Sequence, residues 1–112
     1  MLNKGDKVLV MYRRLYKKDL SRFFVGTVLE YDLGLAKVEG YTHAEVTELG
    51  KFIKKGDSRI KILPLVAGAI IVYELPATVK VENIECVFST SGALVAVDKA
   101  NWSMDLSEVP RS

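Results

Sequence analysis

Short runs of alternating apolar and polar residues, separated by turn residues, recur along almost the whole chain. In the first run, Val8 and Val10 fall on one side of an extended segment and Leu9 falls on the other. A period of two is typical of β-strands, whose successive side chains point to opposite faces of a sheet. Eight or nine such runs are present, and no long stretch follows the helical period. The pattern predicts an all-β fold, a small barrel or sandwich, with at most one short helix.

The predicted strands follow one another closely. They cover residues 8–12, 23–31, 36–43, 59–65, 69–75, 79–84, 85–90, 93–98 and 102–106. In the third strand, the even-numbered residues are expected to face inward, which places His43 on the outer surface. Ser91-Gly92 predicts a two-residue hairpin turn between the seventh and eighth strands.

Residues 43–55 allow two interpretations. Thr42 and Glu45 have the spacing of a capping box, and lysines precede Gly56 as at the end of a helix. The strand alternation, however, continues to Val46, and Gly50 would cost a helix about 1 kcal/mol relative to alanine. We favour a hairpin and keep the helix as the alternative.

The composition is that of one folded domain. The chain has 112 residues, of which 49% are apolar and 27% charged. Its mean hydropathy of +0.15 is high for a small monomer, so part of the apolar content is expected to cover a subunit interface, as in a homo-oligomer. The longest apolar stretch, residues 63–73, is far too short to cross a bilayer. With no signal peptide visible and a single cysteine, these features predict a cytoplasmic protein.

The first 65 residues resemble the SH3-like small barrels, a group that includes the KOW and Tudor-type modules. The resemblance lies in Lys4-Gly5-Asp6-Lys7-Val8, Gly26-Thr27-Val28 and Gly34-Leu35-Ala36-Lys37-Val38. It implies SH3-like barrel strands over residues 1–65, with residues 66–112 forming an additional β segment packed on them within a single domain. Members of this group bind RNA, DNA, peptides or modified side chains, so the resemblance implies binding without naming a ligand.

No set of residues typical of catalysis is present in the sequence. His43 is the only histidine and is expected at the surface, and Cys86 is expected to be a small buried hydrophobe. The sequence has no Walker-type glycine loop, no nucleophile elbow and no C-x-x-C pair. We therefore expect a non-catalytic protein without a cofactor or metal.

Basic and aromatic residues are interleaved over residues 12–24. The candidate partner-binding residues are Arg13, Arg14, Tyr16, Lys17, Lys18 and Arg22. Their cations can neutralise phosphates, and aromatic rings can stack on unpaired bases. The lysines and arginine of residues 51–61 would extend the patch if they fold nearby. Residues 1–66 carry 13 Lys and Arg against 8 Asp and Glu, whereas residues 67–112 carry 3 against 6.

Together these features predict a non-catalytic binding or assembly module of the protein-interaction type. Its partner would be another protein or a second copy of the chain. RNA or single-stranded DNA binding through the loop of residues 12–24 is the alternative, and an enzyme whose site rests on scattered carboxylates, His43 or Cys86 is the third. For the loop itself, a solvated segment without a partner, an acidic protein partner and a membrane surface also stay open. The net charge of only +2 favours the protein partner over nucleic acid.

Overall fold

The computed structural model describes residues 2–13, 21–66 and 68–106, which form two antiparallel sheets. The strands are β1 (Lys7–Tyr12), β2 (Arg22–Asp32), β3 (Leu35–Val46), β4 (Lys51–Lys54), β5 (Arg59–Pro64), β6 (Ile70–Leu75), β7 (Glu85–Phe88), β8 (Leu94–Val97) and β9 (Ser103–Asp105). Two single-turn 3-10 helices, Thr47–Leu49 and Val81–Asn83, are the only helices in these residues. The prediction of a mostly β fold is confirmed. None of these helices is long and apolar enough to span a bilayer.

The larger sheet contains six strands, and β3 is its longest. One edge of β3 pairs with β2 from Leu35 to Ala44. The other edge is shared, because β5 pairs with Leu35–Gly40 and β4 with His43–Val46. β1 lies between β2 and β6. Within the described residues β5 and β6 do not pair, so the sheet does not close into a barrel.

The smaller sheet has the order β7-β8-β9. Its first hairpin closes where the amide of Ser89 donates to the carbonyl oxygen of Ala93 at 2.7 Å. Thr90, Ser91 and Gly92 therefore form a three-residue loop, one residue longer than predicted. Gly92 has a φ of 84°, which is the left-handed conformation that the last position of such a loop requires.

Two apolar cores lie on opposite faces of the larger sheet. The inner core is enclosed by the larger sheet alone; its buried members are Val8, Val10, Phe24, Val28, Ala36, Val38 and Leu63. The second core joins the larger sheet to the smaller one; its buried members are Leu9, Phe23, Val25, Leu75, Val79, Val81, Ile84, Cys86, Ala96 and Leu106. Strands β1 and β2 therefore bury both of their faces, as in the centre of a layered fold.

The interpretation of residues 43–55 is settled in favour of the hairpin. Ala44 pairs with Ile53, and Val46 pairs with Lys51. The turn between the strands contains the 3-10 helix Thr47–Leu49, followed by Gly50 at a φ of 61°. Gly50 thus adopts a conformation that an α-helix does not contain.

Two local predictions are wrong. Residues 79–84 are a connection with the 3-10 helix Val81–Asn83 and not a strand. Their apolar side chains pack into the second core, and the spacing of these side chains resembles that of a strand. His43 is not a surface residue, since only 1% of it is exposed. It does point away from the inner core as predicted, but the smaller sheet covers that side of β3.

Candidate functional site

The predicted partner-binding residues are only partly described. Arg14, Tyr16, Lys17 and Lys18 lie outside the described residues. Arg13 follows β1, and its guanidinium donates to the carbonyl oxygen of Gly68 at 3.1 Å. Arg22 is the exposed first residue of β2. The structure thus describes the two ends of the predicted loop.

Arg22 and a lysine from β5 both lie against the ring of Tyr12. The guanidinium carbon of Arg22 is 5.2 Å from the ring centroid, and the Nζ of Lys61 is 5.3 Å from it. Lys61 Nζ also donates to Tyr12 Oη at 3.2 Å and lies 4.5 Å from the centroid of Phe24. Cations are attracted to the faces of aromatic rings. We call Tyr12, Arg22 and Lys61 the Tyr12 cluster.

The second basic group does not join this cluster as a whole. Lys61 does, but Lys54 lies 4.3 Å from the ring centroid of Tyr41 and donates to the carbonyl oxygen of Glu82. Lys51, Lys55 and Arg59 are exposed. The cations of residues 51–61 therefore serve two separate places, one at the Tyr12 cluster and one at the contact between the sheets.

An apolar surface that the sequence did not single out lies on the outside of β3 and β5. We call it the outer apolar face; its members are Leu33, Leu35, Ile60, Ile62 and Val66. The register places them together, because Lys37 pairs with Ile62, Glu39 with Ile60 and Leu35 with Pro64. Side chains of paired strands on one side of a sheet are neighbours. Ile62 is 67% exposed and Val66 is 86% exposed.

The tip of the β2–β3 hairpin belongs to this face. Leu33 is 91% exposed and has a φ of 48°, which makes it the one non-glycine residue with positive φ in the described chain. A bulky side chain is disfavoured in this conformation, and Asn or Gly is usual at such a turn. Gly34, at a φ of 81°, brings the hairpin so close to Val66 that a Cβ would lie 3.0 Å from its side chain. Val66 and Leu33 are thereby held at one end of the outer apolar face.

Charged residues border the outer apolar face. Glu30 and Asp32 from β2 and Glu39 from β3 are exposed there, with Lys37 as the one cation between them. A shallow depression of about 310 Å³ lies among Glu30, Leu33, Lys37 and Ile62. The face thus combines exposed apolar side chains with an excess of carboxylates, and Lys37 and Glu39 lie opposite Ile62 and Ile60 within it.

A second depression lies where the edge strand of the larger sheet meets the edge strand of the smaller one. This β4–β7 cleft has a volume of about 760 Å³; its lining residues are His43, Gly50, Lys51, Phe52, Ile53, Lys54, Glu85, Cys86, Val87 and Phe88. The rings of Phe52 and Phe88 have centroids 5.8 Å apart. Ile53, Val87 and Phe88 are among the few exposed large apolar residues outside the outer apolar face.

Two of the titratable groups in the wall of the cleft, His43 and Cys86, are buried and neutral at pH 7. Burial, and secondarily the charge of Lys54, lowers the pKa of His43 from 6.5 to about 4. Burial raises the pKa of the Cys86 thiol from 9.0 to about 12. A thiol in this state is unreactive as a nucleophile, and Cys86 is the buried residue that the sequence predicted.

The described residues contain no group of three or more His, Cys, Asp or Glu side chains able to hold a metal ion. The described surface presents an apolar face with carboxylates, a cation–aromatic cluster and a cleft. Comparisons with protein-family models, curated proteins and solved structures found no match to this chain.

Proposed function

We propose that this protein is a non-catalytic protein-interaction module that binds a protein partner through the outer apolar face. The observation that carries the proposal is Leu33, a bulky apolar residue that is 91% exposed in a left-handed backbone conformation. The left-handed conformation costs folding free energy, and strained residues cluster at sites of binding. Contact with a partner would compensate for that cost.

The size of the surface supports the same function. The five side chains of the outer apolar face together expose on the order of 500 Å², which is the size of the largest apolar patch on a typical monomer, and such patches are often functional. The face is also nearly flat and rigid, because all but its two turn residues lie on the paired strands β3 and β5. A preformed surface of this kind loses little conformational entropy when it binds.

The charges indicate the chemistry of the partner. Glu30, Asp32 and Glu39 exceed the single Lys37 around the face. A partner segment with apolar side chains flanked by lysine or arginine is complementary to it, since opposite charges at the rim speed association and exclude wrong partners. We therefore propose a basic, apolar protein segment as the partner.

Peptide display tests this proposal. Peptides selected on the wild-type protein should bind with micromolar affinity and be enriched in apolar residues flanked by Lys or Arg. Ile62→Glu, which places a charge in the centre of the face, should weaken their binding at least about tenfold. Ile53→Glu is the matched control, because Ile53 is also an exposed isoleucine on an edge strand but lies outside the face. Equal loss in both variants, or peptides without cations, would contradict the proposal.

Self-association is distinguished by sedimentation at high protein concentration. If wild-type protein is a dimer and Ile62→Glu is a monomer, the occupant of the face is a second copy of the chain. A monomer in both cases leaves a different protein as the partner.

Two further features belong to the same proposal. We infer that the larger sheet is an SH3-like barrel left open between β5 and β6, which the succession of β1, β2 and β3 as paired neighbours supports. We also infer a cytoplasmic location, which the single free thiol, Cys86, supports.

RNA or single-stranded DNA binding is the second candidate, and the Tyr12 cluster favours it. Arg22 and Lys61 lie on the same ring, and no ion pair to a carboxylate accompanies either of them in the described residues. Two cations gathered at one aromatic ring can attract a phosphate. Tyr12 is already covered by these cations, so the cluster would contact the nucleic-acid backbone and not stack on a base.

Salt dependence separates the two candidates. A single-stranded oligonucleotide bound at the Tyr12 cluster should lose affinity steeply between about 50 and 200 mM salt, and Arg22→Ala should reduce that slope by about one. Lys4→Ala is the control, since Lys4 is an exposed lysine in the turn before β1. Absence of binding at low salt would exclude the nucleic-acid function.

A further inference from the structure

We propose that the β4–β7 cleft is a binding site for a small aromatic carboxylate. This site is separate from the outer apolar face and does not depend on the proposed function. Its volume of about 760 Å³ lies within the range of small-molecule pockets. Junctions between two structural layers are common locations for such pockets.

The walls favour a flat, apolar ligand. Phe52 and Phe88 present tilted rings to the cleft, and Ile53 and Val87 add aliphatic surface on either side. Phe52 is fixed from behind by Phe23, at a centroid distance of 5.6 Å. An aromatic ligand lying against the exposed side of this ring pair would gain ring contacts in addition to the burial of apolar area.

His43 provides the polar contact. The side chain is 1% exposed, lines the cleft, and has an Nε2 atom without a hydrogen-bond partner in the described residues. Buried polar atoms are nearly always paired, so an unpaired one requires an explanation. A neutral imidazole with its proton on Nε2 donates to a carboxylate oxygen. Because Nε2 is itself buried, the side chains over it would shift to admit the ligand oxygen that supplies the missing partner.

The charges at the cleft select an anion. Lys51 is exposed and Lys54 is half-buried, while Glu85 is the single carboxylate among the lining residues. β4 and β7 are both terminal strands of their sheets in the described residues. Their outward backbone amides are additional donors for a carboxylate that reaches the rim.

The probe pair 2-naphthoate and 2-naphthylmethanol tests the site, because the two share the ring system and differ in charge. His43 is the only histidine, so the Cε1–H group of its ring gives one signal that needs no further assignment in NMR spectra. We expect 2-naphthoate to shift that signal saturably with a Kd below about 1 mM, and 2-naphthylmethanol to bind at least about tenfold more weakly.

Variants assign the contacts. His43→Phe keeps an aromatic ring without the polar atom and should weaken 2-naphthoate about tenfold, as read from backbone amide shifts. Lys51→Ala should weaken it about threefold, and Lys4→Ala should have no effect. If His43→Phe does not fold, Val87→Trp fills the cleft from a partly exposed position and should abolish binding while leaving the circular dichroism spectrum of the sheet unchanged.

Three results would overturn the proposal. They are a His43 signal that does not shift up to the solubility limit of 2-naphthoate, equal affinity for the two probes, and unchanged affinity in Val87→Trp. Loss of 2-naphthoate binding in Val87→Trp together with full affinity in Ile62→Glu would show that the cleft acts independently of the outer apolar face.

Discussion

The two halves of β3 carry the same alternation and meet opposite environments. In the first half, the outward residues Leu35, Lys37 and Glu39 are exposed. In the second half, Tyr41 packs on the second core and His43 is buried. The difference arises outside β3, because the smaller sheet and its preceding connection cover only the second half.

The boundary between the halves is a pair of glycines. Gly40 of β3 pairs with Gly26 of β2. A Cβ at Gly40 would overlap the carbonyl oxygen of Val25, and a Cβ at Gly26 would lie 2.5 Å from the carbonyl oxygen of Glu39. The two strands therefore approach more closely here than side chains allow. The exposed half and the covered half of one strand thus meet at a point that only glycine can occupy.

The largest effect is expected at this boundary. Gly40→Ala should destabilise the fold by about 4 kcal/mol or prevent folding, because its Cβ meets backbone that cannot move aside. Gly56→Ala is the control, since nothing lies within 4 Å of a Cβ at Gly56, and it should change stability by less than about 0.5 kcal/mol. Urea unfolding followed by the fluorescence of Trp102 measures both. Similar stabilities would show that the two strands do not depend on this close approach.

Substitution of an apolar side chain by alanine should cost much more stability next to the covered half of β3 than next to its exposed half. Ile84 is fully buried in the connection that covers the second half, and Ile60 is 54% exposed beside the first half. Ile84→Ala should cost about 2–5 kcal/mol because it leaves a cavity, whereas Ile60→Ala should cost less than about 0.5 kcal/mol. The same urea experiment compares them. A comparable loss in Ile60→Ala would mean that the outer apolar face supports the fold.

The covered half should also be sensitive to acid. Burial, and secondarily the charge of Lys54, lowers the pKa of His43 to about 4 in the folded protein, from 6.5 for an unburied histidine. Between these values the unfolded chain binds a proton that the folded protein does not, so stability should fall as the pH decreases from 6.5 to 4 and then level off. The contribution is up to about 3 kcal/mol.

The matched variant for the acid effect is His43→Phe. As the pH falls from 6.5 to 4, the free energy of unfolding should decrease more for the wild type than for this variant. The carboxylates titrate equally in both proteins, so their effect cancels in the comparison. A constant difference over that range would show that His43 titrates normally and is not enclosed.

The smallest expected effect on stability is at Leu33, where one substitution should change stability and peptide binding in opposite directions. Leu33→Asn should raise the free energy of unfolding by about 1 kcal/mol, because Asn tolerates the left-handed turn and no buried surface is lost. It should also weaken the peptides selected on the outer apolar face. The thermal midpoint and peptide affinity are measured on the same preparation. A stabilised variant with undiminished affinity would remove Leu33 from the binding site.

The sequence predicted most of the strands, because the alternation of apolar and polar residues depends only on residues that are close together in the chain. The hairpin of residues 43–55 followed from the continued alternation to Val46 and from Gly50. The failure at residues 79–84 has the same source, since Val79, Val81 and Ile84 are spaced to reach the core from a connection as well as from a strand.

The candidate sites were harder to predict, because they depend on which surfaces are covered. The run Arg59-Ile60-Lys61-Ile62-Leu63 shows alternation but not which isoleucines remain exposed. His43 was placed correctly on the outward side of β3 and wrongly in solvent, since the cover comes from residues about 40 positions later in the chain. The contact of Lys61 with Tyr12 likewise joins residues 49 positions apart.

The pairing of β1 with β6 has a consequence for synthesis on the ribosome. The edge of β1 that pairs with β6 stays unpaired until Leu75 has been synthesised, because Lys7 pairs with Leu75. The apolar side chains of Leu9, Phe23 and Val25 stay uncovered until residues up to Leu106 have emerged. A nascent chain that ends near residue 65 therefore exposes an unpaired edge of β1 and uncovered apolar side chains. We expect chaperones to bind the nascent chain mainly between the synthesis of residue 65 and that of Leu106. We also expect chains translated from shortened transcripts, which lack the later residues, to be degraded by proteases.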